Sequence, residues 1–441
     1  MFIDINKKNL VFIELNEINF DILKRYIKKG EKLKNFRKLL SLKNINTTAE
    51  DRYEEIEPWI QWHSIHTGLD YKDHGIFRLG DGVHCKNTTI YKKLEERGYS
   101  VGAISPMNLK NNLNTPKFFI PDPWTDTSSD KSWWSRKITE VLRQTVNDNA
   151  TSKITIKNLF ILILLILKFA KFKNYLRYLY LSISSVFKKS WRRALFLDLF
   201  LSDIYSSYTR KLEPNYSSIF LNGGAHIQHH YLFNAETLNK EKNPEWYLNK
   251  NSDPFFDMLK TYDTILGDII NLNYPFILAS GMSQTLNDTK EFYYRLRNHK
   301  DFFNLINLNF TDCSSRMSRD CEVIFNSNND RDEAYKILRS IREENSKVKI
   351  FNEIEIREKS LFIILTYPFE INKNSFINVN NKKIELEKHV VFIAIKNGKH
   401  QSKGYAFFSN HFNDILPEDN IHVKKLSNLV YKFFDISSSE N

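Results

Sequence analysis

PWIQWHSIHTGLDYKDHGI, residues 58–76, is the stretch whose reading decides the fold. Its second half, His66-Thr67-Gly68-Leu69 followed by Asp73-His74-Gly75-Ile76, is a loop-and-turn pattern punctuated by two glycines. Its first half carries Trp59, Gln61, Trp62, His63, Ser64 and His66. Two indoles beside an amide and imidazoles suit a stacking platform for a sugar or base, and equally an aromatic core. No hydroxyl stands at Ile56 to Pro58; the polar side chain there is the carboxylate of Glu57.

Outward from this stretch, short apolar runs alternate with helical patterns. Asn9 to Leu15 (NLVFIEL) is rich in strand formers and ends in Asn16-Glu17, and Phe20 to Leu40 shows helical spacing with Lys and Arg on its other face. Thr89 to Arg97 predicts a helix closed by Gly98, with Tyr99 to Ser105 as the next strand. Ser217 to Leu221 and Pro275 to Ala279 predict further strands, Pro254 to Leu272 an amphipathic helix. The alternation predicts an α/β fold, a mostly parallel central sheet with helices on both faces. In such sheets function sits at the carboxyl ends of strands. Those ends carry Glu14, Asn16 and Glu17, then Asn222 to His230, then Ser280 to Gln284.

One region interrupts the alternation. The sequence divides into an α/β domain over 1–129 and 211–436 and a helical, basic, partly apolar insertion over 130–210. Phe302 onward reads as more of the same domain. Lys+Arg of 64 against Asp+Glu of 52 gives a net charge of +12 over 441 residues, and residues 151–193 hold ten of those cations and no acid. The balance favours an anionic partner. Leu159 to Leu167 (LFILILLIL) is too short to span a bilayer. Its basic flanks suit a helix lying on an anionic membrane surface through 151–193, while a buried helix with a solvated basic face accounts for the same residues. Cys85, Cys313 and Cys321 form no disulfide framework or zinc spacing. The N-terminal residues lack a charged segment leading an apolar one, so the expected location is cytoplasmic, or peripheral on the inner face of the cytoplasmic membrane.

Five groups carry candidate chemistry. Glu14, Asn16 and Glu17 suit metal binding or proton transfer, or a helix N-terminus with Asn16 or Asn19 as cap. His226, His229 and His230 fall within five residues after a Gly-Gly turn, and imidazoles at that density point to a metal or a general base. Gly398 to Tyr405 is a polar loop holding His400. Arg316 and Arg319 suit a clamp on phosphate or form a surface pair with Asp320. Trp59, Gln61 and Trp62 complete the set. No P-loop, GxGxxG or GxSxG occurs, and no nucleic-acid-binding module, so no nucleic-acid partner is expected.

Taken in order, these pieces resemble the alkaline phosphatase superfamily, in its type I phosphodiesterase/nucleotide pyrophosphatase and sulfatase-like branch. Val11 to Leu40 is similar to that family's opening, Thr67-Gly68-Leu69 with His74-Gly75-Ile76 to its TG…HGI segment, and Thr89 to Ser105 to its helix-Gly-Tyr-strand unit. Ala225 to His229 looks like its D-x-x-x-H metal motif, Ser280 to Met282 like its Ser-Asp-His, and Gly398 to His400 like its G-x-H loop. The departures concern the chemistry. The family's first metal-binding Asp aligns with Asn16, its nucleophilic Thr or Ser with Ile56 to Pro58, its second Asp with Ala225, and the Asp and His of Ser-Asp-His with Gly281 and Met282. His229 and His400 remain, and the resemblance assigns both to one metal site.

The resemblance therefore implies one divalent metal, zinc or manganese, or none, held by His229 and His400. The catalytic roles fall to Glu14, Asn16, Glu17, Glu57, Gln61 and His226, and substrate contacts to Trp59, Trp62, Arg316 and Arg319. The set ELNE, PWIQW, HTG and GAHIQHH is also similar to sequences encoded near bacterial surface-polysaccharide genes. That implies a hydrolase or transferase for a phosphate-bearing glycan, nucleotide-sugar or lipid-linked sugar; the alternative is an inactive ligand-binding or scaffolding member at the membrane surface.

Overall fold

The computed structural model describes residues 8–147, 155–186, 189–315, 319–380, 382–417 and 420–436. The chain divides into two compact units, one of residues 1–286 with 398–441 and one of 287–397.

The first unit is built on an eight-stranded sheet. Across it the strands run Ile421–His422, Lys43–Thr48, Lys403–Phe408, Phe276–Ala279, Leu10–Leu15, Tyr216–Leu221, Val101–Ile104 and Phe118–Ile120. Lys403–Phe408 pairs antiparallel with both neighbours; every other pair is parallel. The α/β expectation is thus met. Leu10–Leu15 explains why two helical layers form. Every residue in it is buried. Val11, Ile13 and Leu15 face one apolar core, and Leu10 and Phe12 the other. A strand buried on both faces reads as a continuous apolar run, and successive residues point to opposite sides.

The helices Phe20–Lys29, Lys34–Leu40 and Pro254–Ile270 supply the first core, with Pro58–Thr67, Ile90–Glu96 and Leu426–Phe433 on the second. The predicted segment Phe20–Leu40 is split because Gly30 adopts φ +104°, closing the first helix. A left-handed residue just past a helix end caps it, and glycine does so without a Cβ penalty. The opening stretch behaves the same way. Pro58–Thr67 is a helix with Pro at its first turn and Gly68 (φ +77°) after its last. The strand Lys43–Thr48, which the polar sequence KNINTT conceals, inserts beside Lys403–Phe408.

The region 130–210 is helical where described, in Trp133–Asn147, Ile156–Phe169, Tyr175–Val186 and Arg192–Leu212. These helices fall within the first unit, and Leu165, Leu195, Leu199 and Ile204 join its core. The compact division falls instead at 287–397, which the sequence reading joined to the main domain.

That second unit has an antiparallel four-stranded sheet ordered Glu353–Ile356, Ser360–Ile364, Asp320–Ile324 and Asp312–Ser315. It also has the helices His299–Leu305 and Asn328–Ser340, and a core of its own around Phe302, Phe303, Val323 and Ile363. Nothing in a run of short strands and helices marks a boundary when both units bury similar apolar segments.

Candidate active site

The carboxyl ends of Leu10–Leu15, Tyr216–Leu221 and Phe276–Ala279 converge, as the sheet rule requires. After the first, Glu17 stands at φ +61°, a left-handed conformation that a buried glutamate seldom adopts. Such strain costs about 1–3 kcal/mol and persists only where surrounding contacts hold it. Here Gln228 Nε2 donates to the Glu17 carbonyl at 2.9 Å, and the Gln284 backbone N–H donates to the same oxygen at 3.2 Å. The twist aims the Glu17 carboxylate at two imidazoles.

Glu17 Oε2 lies 3.2 Å from His229 Nε2 and 3.2 Å from His400 Nε2, and the two nitrogens are 3.3 Å apart. His229 comes from the helix Gly223–Tyr231, which opens directly after the second strand. His400 comes not from a loop but from the carboxyl end of the strand Val390–Gln401, just before Lys403–Phe408. The three donor atoms make a nearly equilateral triangle, and together the residues form a group able to hold a metal ion. A tetrahedral zinc with bonds of roughly 2.0–2.1 Å has ligand–ligand edges of about 3.3–3.4 Å, so the triangle matches one face of that tetrahedron. Two imidazoles and a carboxylate are also the donor set of zinc sites that keep a fourth position open. The groups behind them fit the same purpose. Asn16 Nδ2 donates to Glu17 Oε1 at 3.1 Å, the Gln284 amide donates to Oε2, and His400 donates to the Ile56 carbonyl while its Nδ1 lies 3.5 Å from Glu57 Oε2. A partner on Nδ1 leaves the Nε2 lone pair facing the triangle.

Electrostatics agree with the geometry. Burial opposes both charges, yet His400 and His229 hold Glu17 well below the usual carboxylate range. Burial likewise opposes the His400 cation, but Glu17 and Glu57 push its pKa up to about 9. In metal-free protein the raised His400 stabilises the fold in full below its ordinary pKa of 6.5, and this is lost as pH rises through about 9. The depressed Glu17 contributes above its ordinary 4.5 and is lost as pH falls below that. Metal-free protein should therefore lose melting temperature between pH 7 and about 10, and His400→Gln should flatten that limb. An equally steep limb in the variant would assign the loss elsewhere.

The other candidates separate into distinct places. Glu57 precedes the first turn of Pro58–Thr67 and is part-exposed beside His400. Glu14 lies in a different, fully buried group: its Oε1 meets His66 Nε2 and the Tyr91 hydroxyl, each at 3.3 Å, and its Oε2 has no hydrogen-bond partner among the described residues. Asn16 serves Glu17 rather than replacing it; its Oδ1 accepts the Trp62 indole N–H at 2.7 Å. Trp62 is fully buried, with its ring edge-on to Phe220, so of the two readings offered for it the aromatic core is the one realised. A sugar cannot stack on an indole without solvent access. Trp59 is part-exposed, its N–H on the Phe77 carbonyl. Gln61 is buried and staples the preceding loop, donating to Glu55 O and facing Glu50 N. His226 meets His230 edge-on with ring centres 4.7 Å apart, one turn from His229, and burial drops its pKa to about 4. Arg319 belongs to the second unit, its guanidinium 3.7 Å from the Tyr293 ring centre. Arg316 lies outside the described residues. Asn19 is the cap of the first helix.

Two findings bear on the nucleophile. Ser64 Oγ is 3.0 Å from His74 Nε2, but His74 Nδ1 already accepts the Ile76 N–H. That assigns the proton to Nε2, so the imidazole donates to Ser64 and cannot activate it. Burial, which pushes His74 down to about 4, keeps it neutral. Ser64→Ala is expected to retain turnover within about twofold, against the far larger loss that removal of a nucleophile causes. Second, Met282 packs with Ala49 and Ile56 in a small apolar cluster. The resemblance would place a second metal there, and these side chains offer it no oxygen or nitrogen donor.

The residues that sequence reasoning missed are Gln228 and Gln284. Their signal was weak, because glutamines become legible only once the strained Glu17 they hold is seen.

No protein-family model matches the chain, and no curated protein matches it by sequence. Solved structures of phosphate- and phosphonate-cleaving enzymes do align along nearly its whole length. Phosphonoacetate hydrolase from Sinorhizobium meliloti 1021, in complex with phosphonoformate, is 10% identical over 97% of this chain and 96% of its own, at a TM-score of 0.44. Murine ectonucleotide pyrophosphatase/phosphodiesterase 5 is 10% identical over 98% and 96%, at 0.45. Alkaline phosphatase from the Antarctic bacterium TAB5 is 8% identical over 97% and 98%, at 0.38.

Proposed function

We propose that the chain is a one-metal hydrolase or transferase acting on a phosphate-bearing glycan, nucleotide-sugar or lipid-linked sugar in bacterial surface-polysaccharide biosynthesis. The observation that carries this reading is the triangle of Glu17, His229 and His400 with the part-exposed Glu57 beside it. The order of sequence motifs, whose family acts on phosphate esters, supports the substrate class.

A bound divalent ion would supply positive charge to a phosphoryl oxygen. The chain supplies the rest. Glu17, His229 and His400 would hold the ion, and Asn16 and Gln284 fix the Glu17 carboxylate. Glu57, at the amino end of a helix, takes the proton from an attacking water or sugar hydroxyl. With no hydroxyl at the family's nucleophile position, the attack is direct, without a phosphorylated enzyme: the new P–O bond forms as the bond to the leaving oxygen breaks, and that oxygen departs with a proton from Glu57 or solvent.

Binding without turnover is the second reading, and the apolar Met282 cluster favours it. Steady-state assays on an aryl phosphodiester and a uridine diphosphate sugar separate the two. The enzyme reading expects zinc- or manganese-dependent turnover that Glu57→Gln lowers by about 10²–10⁴-fold without loss of metal. Turnover indifferent to Glu57 would overturn the assigned base, and none on either substrate would favour the binding protein.

A further inference from the structure

The helices Ile156–Phe169 and Tyr175–Val186 are apolar on two opposite faces. On the first, Ile161, Leu165 and Phe169 are buried against the core. Phe160, Ile163, Leu164 and Leu167 point the other way and are exposed. The second repeats the pattern, with Tyr178 and Leu181 inward and Leu176, Leu179 and Ile183 outward. Between the helices Phe172 is 90% exposed, and Leu176 reaches 82%. Outward residues at spacings of three and four make a continuous stripe along each helix. Of the 20 large hydrophobic side chains exposed among the described residues, 12 lie between Ile156 and Val186. Solitary exposed apolar residues need no explanation, but a concentrated patch marks something it meets.

The charge around the patch selects the occupant. Several cations of the acid-free run 151–193 are used internally: Lys157 pairs with Glu140, Lys171 and Lys173 with Asp268, and Arg192 with Asp257. Lys168, Lys189 and Arg193 make no ion pair with a described residue. Along the second helix runs a furrow of about 450 Å³ whose lining includes Leu176, Leu179, Tyr180, Ile183 and Lys189. An acyl chain fits such a lining, and an ammonium on the same wall fits a phosphate headgroup. A soluble partner would be expected to answer with acidic groups throughout, whereas here cations border a broad greasy face.

Crossing a bilayer is excluded for these elements. No described helix is long and apolar enough to cross a membrane, and 14 residues of helix reach about 21 Å against roughly 30 Å of hydrocarbon. We infer that the outer faces of Ile156–Phe169 and Tyr175–Val186, with Phe172 between them, seat the chain in the interface of an anionic phospholipid bilayer, lying along it. This goes beyond the proposed reaction and does not depend on it.

The test is flotation of the full chain with vesicles of phosphatidylcholine, alone or with about 30 mol% phosphatidylglycerol, at about 0.1 and 0.5 M NaCl. The wild type is expected to float with the anionic vesicles and to be weakened by salt. A variant combining Phe160→Ser, Leu164→Ser and Leu176→Ser should lose at least about tenfold of its vesicle affinity. One combining Lys168→Glu, Lys189→Glu and Arg193→Glu should lose about tenfold on anionic vesicles only. All six side chains lie outside the core, so melting curves should match the wild type; a variant with a shifted curve is replaced by its single substitutions. Absent flotation of the wild type, or unchanged flotation of the serine variant, overturns the inference. Equal flotation on neutral and anionic vesicles also overturns it, because the headgroup then plays no part. If sedimentation shows a wild-type dimer that the serine variant dissociates, and neither floats, the face joins two copies instead.

Discussion

His229→Ala and His400→Ala are each expected to weaken zinc binding by at least about 10²-fold, and the pair to leave no measurable site. The reasoning is geometric. Three donors at mutual distances of 3.2–3.3 Å would share a single ion. Removing one leaves two, and two protein ligands make a weak zinc site. Glu17→Gln should act similarly, because the amide keeps the shape and loses the charge. Asn16→Ala leaves all three donors in place but removes the hydrogen bond that orients Glu17, together with those Asn16 makes to Trp62 and Asn222, and losses at such outer positions run to about 10–100-fold. Calorimetric titration of metal-stripped protein reads all five variants. Affinity unchanged in both histidine variants would place any bound metal elsewhere.

The second large effect concerns Trp62. It is fully buried, meets Phe220 edge-on at 5.6 Å and donates its indole N–H to Asn16 at 2.7 Å. Its ring also lies against Gly281, where an added Cβ would come within 3.1 Å of it, and Gly281 itself needs φ +69°. The indole thus fills the space beneath two of the strand ends that build the site. Trp62→Ala should destabilise the fold by about 3–5 kcal/mol, through lost burial and the cavity left behind. It should also loosen Asn16, and with it Glu17. A substrate platform would give the opposite pattern, weaker substrate binding at unchanged stability. Urea unfolding monitored in the first unit distinguishes them, and a loss below about 1 kcal/mol would contradict the core assignment.

How far the sequence could be read follows from what each feature depends on. The sheet was legible because Leu10–Leu15, Tyr216–Leu221 and Phe276–Ala279 are buried on both faces, which writes itself as short apolar runs. His229 was legible as one of three histidines following a strand end, whereas His400, 171 residues away, was legible only through the order of motifs. Their carboxylate partner was harder. Motif order pointed to Asn16, and the structure hands that place to Glu17 by twisting its backbone into φ +61°. That conformation depends on Gln228 and Gln284, which tertiary structure alone brings near, so no local pattern encodes it. Glu14 looked equivalent to Glu17 in the sequence, but a strand alternates its faces, and Glu14 turns inward toward His66 and Tyr91. The division at 287–397 was hidden for a related reason: its strands and helices have the same lengths and apolar character as those of the main unit.

X-ray absorption at the zinc edge of the stoichiometrically loaded protein tests the central claim most directly. The account predicts a first shell of two imidazole nitrogens at roughly 2.0–2.1 Å with one carboxylate oxygen, the imidazole scattering falling by half in His229→Ala or His400→Ala. A shell of oxygens without imidazole, or one that neither substitution alters, would contradict it.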